Sequence, residues 1–171
     1  MRVTLDQFLV QGRLGEIRLG LTLDDVRRLL GEPELWTDET TLPLIVWRYG
    51  DVELLFGNHR DFAPNALHMI IVHFTPTHGT TRGLPPPCDV DGFFPGRRTR
   101  KATLERWLHA HNVEFHMDDS LTFPDPPAQL CWVTRAGAHL IFAGATDANT
   151  LVKMSFSPFA PSNHFRATSG L

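Results

Sequence analysis

Cysteine is scarce in this chain. Of 171 residues only Cys88 and Cys131 carry a thiol, and neither belongs to a Cys-x-x-Cys pair. That spacing speaks against a zinc knuckle and a disulfide framework, and it predicts reduced thiols in a cytoplasmic protein. Long apolar runs are lacking too: stretches such as Met69–Val72 fall far short of the roughly 20 residues a membrane-crossing helix needs. The opening residues, Met1-Arg2-Val3-Thr4-Leu5-Asp6-Gln7-Phe8, put charge and polar groups where a secretory leader needs an unbroken apolar stretch, so export by that route is not expected. Neither sign of charge dominates. Sixteen Lys plus Arg against nineteen Asp plus Glu leave a net charge of -3, which predicts neither a strongly basic nucleic-acid binder nor an acidic tail. There is no Gly-x-x-x-x-Gly-Lys-Ser/Thr, Gly-x-Gly-x-x-Gly or Gly-x-Ser-x-Gly, so a phosphate cradle and a nucleophile elbow have no support.

What is present is the composition of a folded domain, 42% hydrophobic and 20% charged, and a pattern that occurs twice. Thr22-Leu23-Asp24-Asp25-Val26-Arg27-Arg28-Leu29-Leu30-Gly31-Glu32-Pro33 reads as a short helix. Thr22 caps it with Asp25 as reciprocal partner, two acids sit at its positive end, and Gly31 and Pro33 stop it. Ile45-Val46-Trp47-Arg48-Tyr49 and Val52-Glu53-Leu54-Leu55-Phe56 alternate about a Gly50-Asp51 turn, which predicts a β-hairpin. Leu67–Phe74, apolar on both faces, suits a central strand. Residues 76–98, rich in Pro and Gly, read as a linker, and Asp89-Val90-Asp91-Gly92 within it as a turn rather than a calcium loop, since the third acid and closing Glu are missing.

After the linker the order repeats. Thr103–Asn112 lies over Thr22–Gly31 without a gap, Leu130–Arg135 and Ala138–Phe142 form a second hairpin about Ala136-Gly137, and Leu151–Phe156 closes the unit. Trp132 falls on Trp47 and Phe142 on Phe56. The expected fold is therefore α+β: two tandem helix-plus-antiparallel-sheet units, residues 1–75 and 99–171, with the helices on one sheet face and the other face open.

The segment Ile17-Arg18-Leu19-Gly20-Leu21-Thr22-Leu23-Asp24-Asp25-Val26, through Leu30-Gly31-Glu32-Pro33, resembles the Gly-Met-Thr-x-x-x-Val helix signature of the β-lactamase inhibitory protein and of the SmpA/OmlA (BamE-like) family. The resemblance implies two α/β units sharing one long antiparallel sheet whose concave face grips another protein. In style the chain is also similar to the bacterial immunity partners of polymorphic toxins.

On this reading the protein is a non-catalytic binding module, an immunity or inhibitor protein that occludes a toxin or enzyme. The residues expected to meet the partner are Arg48, Tyr49, Asp51, Glu53, Trp132, Arg135 and His139 on the open face, with Phe62 and Phe123 as loop anchors. The acidic balance of the first unit points to a basic partner. No catalytic residue, metal or cofactor is expected. His109 and His111 point about 200° apart on a helix, and so do not converge with His116 on one ion. The alternative is a small enzyme or ligand-binding domain using a cleft between the repeats, lined by His116, Asp118 and His139. Cys88 with His73 or His78 is a weaker nucleophile pairing, Arg97–Lys101 reads as a solvated basic run, and a homodimer through the same faces is a third arrangement. Loop aromatics Trp36, Phe93, Phe94, Phe159 and Phe165 are expected to plug the core.

Overall fold

In the computed structural model, which describes residues 1–37, 44–57, 62–75, 83–86, 88–96, 98–123, 128–144 and 148–157, a reciprocal cap stands near the start of the chain. The Thr4 hydroxyl accepts the Gln7 N–H at 3.2 Å, and the Gln7 side chain accepts the Thr4 N–H at 3.3 Å. This capping box opens α1 (Leu5–Gln11), which follows the short strand β1 (Arg2–Val3) and precedes the ribbon β2 (Arg13–Leu14) and β3 (Ile17–Arg18). The helix is an addition to the pattern read from sequence. Gly12 ends it in the left-handed conformation at φ +65.

Helix α2 (Leu23–Leu30) forms as predicted, with the Thr22–Asp25 box at its start and Gly31 at φ +80 beyond its end. The segment before it is tied to the sheet by Gly20 N–H to Leu67 O and Leu67 N–H to Leu21 O, both 2.7 Å. Four strands follow: β4 (Leu35–Trp36), β5 (Leu44–Tyr49), β6 (Val52–Gly57) and β7 (Ala66–His73). The predicted linker is not featureless. Within it β8 (Asp89–Val90) pairs in parallel with β1, so Asp89–Gly92 is a strand with its tail and not a turn. The Met1 and Val3 carbonyls accept the Asp89 and Asp91 N–H groups at 2.8 and 2.9 Å.

Helix α3 (Lys101–Ala110) begins two residues before Thr103, with Arg100 at its N-cap and no side-chain cap, so the repeat of the first helix's capping box fails there. Asn112 does take the left-handed conformation at φ +52. The chain ends its described course in β9 (Phe115–Met117), a 3-10 turn at Asp119–Leu121, β10 (Ala128–Thr134), β11 (Ala138–Gly144) and β12 (Thr150–Phe156).

Eight of these strands make one sheet, ordered β4-β5-β6-β7-β12-β11-β10-β9 and antiparallel at every pairing. The last strand of each hairpin-plus-strand set therefore meets its counterpart at the centre. Opposed residues share a face, so Ile45, Trp47 and Tyr49 lie with Phe56, Leu54 and Val52, and Leu130 and Trp132 with Phe142 and Leu140. That face packs with Phe8 and Leu9 of α1, Val26 of α2, and Leu104 and Leu108 of α3 into one core. A smaller cluster on the reverse face, Cys131, Val133 and Ile141 with Val152, contains no helical residue.

The two hairpins match in detail. Trp47 meets Phe56 edge-on at 5.1 Å and 60°, and Trp132 meets Phe142 at 4.7 Å and 63°. Each phenylalanine directly follows a register shift, between Leu55 and Phe56 in one hairpin and between Ile141 and Phe142 in the other. Among the described residues no helix is long and apolar enough to cross a membrane.

Gly12 shows how closely α1 meets the sheet, since a Cβ there would fall on the Phe156 ring. Gly12→Ala is expected to cost about 2–5 kcal/mol, from a left-handed residue given a side chain plus overpacking. Phe156→Leu in the same chain should restore the packing part. Urea denaturation measures both, and a loss below about 0.5 kcal/mol, the scale of a neutral surface change, would contradict the contact.

Candidate functional site

Because neighbouring strands are in fixed register, one transverse row can be followed across the reverse face of the sheet. It runs Leu35, Arg48, Glu53, Ile71, Ser155, His139, Val133, His116, each opposed to the next. Arg48, Glu53 and His139 of the expected partner-binding set therefore do lie on one face. His73 joins them, its Nε2 3.1 Å from Glu53 Oε2, and Lys153 lies opposite it on β12.

That face is not open along its whole width, as had been expected. Arg48, Ile71, Cys131, Val133 and Ile141 are buried, and His73, His139 and Asp118 are largely so. Arg48 turns its Nε to Gly50 O at 2.9 Å and so braces the β5–β6 turn. Exposure is regained at the two ends. Leu35, on the edge strand β4, is 55% exposed, and Phe123, which bridges Gln129 on the same face, is 54% exposed.

Other expected contact residues belong elsewhere. Tyr49 and Trp132 face the helices and are buried, which corrects their placement on the open face: each adjoins a reverse-face residue, and successive strand residues point opposite ways. Tyr49 donates its hydroxyl to Gly31 O at 2.9 Å, and burial, aided by Glu32, pushes its pKa up to about 12. Trp132 is held between Phe115 and Phe142, each 4.7 Å away. Asp51 is also buried. Its carboxylate accepts the Gly83 N–H at 2.8 Å, so its role is to fasten a loop. Phe62 is half-buried against Gly20 and is a plug rather than an anchor, while Arg135 is exposed in the β10–β11 turn with Glu114 3.4 Å away.

The polar centre of the alternative reading is real as a cluster but sits on the reverse face of β9–β11, not between the two halves. His139 Nε2 stands 3.9 Å from Asp118 Oδ2, and Ser120 Oγ donates to Asp118 Oδ1 at 2.6 Å. The carboxylate thus lies between hydroxyl and imidazole. A serine nucleophile needs the imidazole against the hydroxyl, so this order does not activate Ser120. The Ser120 hydrogen bonds hold the Asp118 carboxyl below its usual range, and burial pulls His139 down despite Asp118. Burial likewise pushes the Cys88 thiol up to about 11 and Cys131 to about 12, away from nucleophilic thiolates. His111 stacks on Trp107 at 3.9 Å and His109 leans on Phe115, so the three histidines do not converge; among the described residues no group of three His, Cys, Asp or Glu could hold a metal. His78, Arg97, Phe159 and Phe165 lie outside the described residues.

Sequence reasoning missed the end of the sheet beside α2. There a groove of about 720 Å³ is lined by Asp24 and Arg27 of α2, by Glu32, and by Trp36, Ile45 and Trp47 of the sheet. Trp36, treated above as a plug, is 67% exposed. The Arg27 guanidinium lies 5.1 Å over the Trp47 ring and reaches Asp24 at 3.2 Å and Glu32 at 3.0 Å.

Searches against protein-family models, curated proteins and solved structures find no match to this chain.

The His139–Asp118 cluster has a signed pH dependence. Both groups bind protons less readily folded than unfolded, so the stability these two contribute is fully present above pH 6.5, falls as pH drops through the His139 range, and falls again below pH 3.8 as Asp118 titrates. Urea denaturation across pH should show His139→Gln flattening the first decline and Asp118→Asn the second. Identical pH profiles for wild type and both variants would refute the assignment.

Proposed function

We propose that this protein is a non-catalytic binding module, an immunity or inhibitor protein that occludes a partner toxin or enzyme in the cytoplasm. The observation that carries the reading is the pairing of exposed Leu35 and Phe123 at opposite ends of one sheet face, with Glu53, His73, His139 and Asp118 between them. Exposed apolar side chains on either side of a polar strip suit a protein interface: the ends supply apolar contact and the strip supplies selectivity. The buried tryptophans and Tyr49 have no part in it; their work is the core.

The architecture proposed with this function is a tandem duplication, residues 1–75 and 99–171, with all three helices on one side. The matched Trp–Phe pairs, the matched register shifts and the mirrored strand order support it. The likeness of Ile17–Pro33 to the β-lactamase inhibitory protein and SmpA/OmlA signature agrees with it, Gly20 at φ +87 being the glycine that this turn requires.

The test is affinity capture with the tagged protein from native lysate, with metal analysis of the same preparation. One stoichiometric protein is expected, retained by Arg135→Ala and lost about tenfold or more by Phe123→Asp or Leu35→Asp, the scale of an interface anchor. Capture unaffected by both aspartate variants would overturn the face assignment. No partner together with a bound ion would overturn the function.

A further inference from the structure

We infer that the β4 edge takes an extended segment of the partner in which basic and apolar residues alternate, added to the sheet as a further strand. The inference rests on the protein-binding reading and names its chemistry. In the described sheet β4 is the outermost strand, and its pairing to β5 extends on both sides, through Glu34 N–H to Arg48 O and Thr37 N–H to Val46 O. An added strand would present side chains alternately to two different environments.

On the helix side it meets the Trp36 ring and the groove beyond. There the carboxylates of Asp24 and Glu32 are mostly exposed, at 83% and 75%, although each touches Arg27. Arg27 is itself pinned over Trp47, so the groove holds two carboxylates against one guanidinium whose place is taken. A cationic side chain fits this site: it gains the Trp36 face and a carboxylate together, whereas an acidic one meets like charge. On the other side the added strand meets exposed Leu35, which favours an apolar residue in the alternate positions. The pattern basic–apolar–basic therefore follows from the opposite faces taken by Leu35 and Trp36.

The experiment uses the whole ¹⁵N-labelled protein and two blocked hexapeptides, (Arg-Val)₃ and (Glu-Val)₃. The basic peptide is expected to shift the Leu35 and Trp36 amide signals and to slow their exchange, and the acidic peptide to do neither. Trp36→Ala and Glu32→Lys, both at exposed positions, should each weaken the basic peptide by about tenfold while thermal unfolding stays at the wild-type temperature. Equal binding of both peptides, or no response at Leu35 and Trp36, would overturn the inference. If Phe123→Asp abolishes partner capture while Trp36→Ala and Glu32→Lys do not change it, the edge inference falls and the protein-binding reading stands.

Discussion

The pairing of β7 with β12 is the contact on which the rest of the structure depends. Ile70 opposes Phe156, Val72 opposes Met154, and on the reverse face Ile71 opposes Ser155 and His73 opposes Lys153. Without this seam, β7 would be an eight-residue edge strand, apolar on both faces, and the seven-residue β12 an edge with Leu151, Met154 and Phe156 along it. Long apolar edges invite uncontrolled pairing. Joined, they become the centre of the sheet, and the edges pass to β4 and β9, strands of two and three residues. The same seam aligns the rows on both faces, so that Phe156 reaches α1 at Gly12 on one side while Glu53 and His139 fall in one line on the other.

Much of this order is visible in the sequence because it is local. The Thr22–Asp25 box, the Gly50-Asp51 turn and the doubled Trp and Phe positions each follow from residues close together in the chain. Helix α1 carried an equally good Thr-x-x-Gln signal, but its seven residues are too few to show a helical period. The β1–β8 pairing joins residues far apart in the chain and leaves no periodic trace. The site was less legible. Alternation alone separates Arg48 from Tyr49 and Val133 from Trp132, and period two applied strictly would have placed both aromatic residues with the helices. The role of Asp51 depends on Gly83, 32 residues away, and no local rule anticipates that hydrogen bond.

The distribution of polarity on the reverse face follows from burial. The carboxylates near its middle are each set beside an imidazole, Glu53 with His73 and Asp118 with His139, because a polar group buried without a partner is costly. Apolar side chains stay exposed where the sheet ends and nothing described covers them, at Leu35 and Trp36 on one edge and at Met117 and Phe123 near the other. Under the binding function proposed above, such a face offers apolar contact at the rims and polar selectivity between them.

The central claim is that the two halves form one sheet with one core, and native-state hydrogen exchange tests it most directly. If the account holds, the amides of Ile70, Val72 and Phe74, which point across the seam to β12, exchange only through global unfolding, with the same denaturant dependence as those of Leu54 and Leu140 in the two hairpins. Seam amides that exchange at low denaturant, ahead of two separately unfolding hairpins, would contradict it.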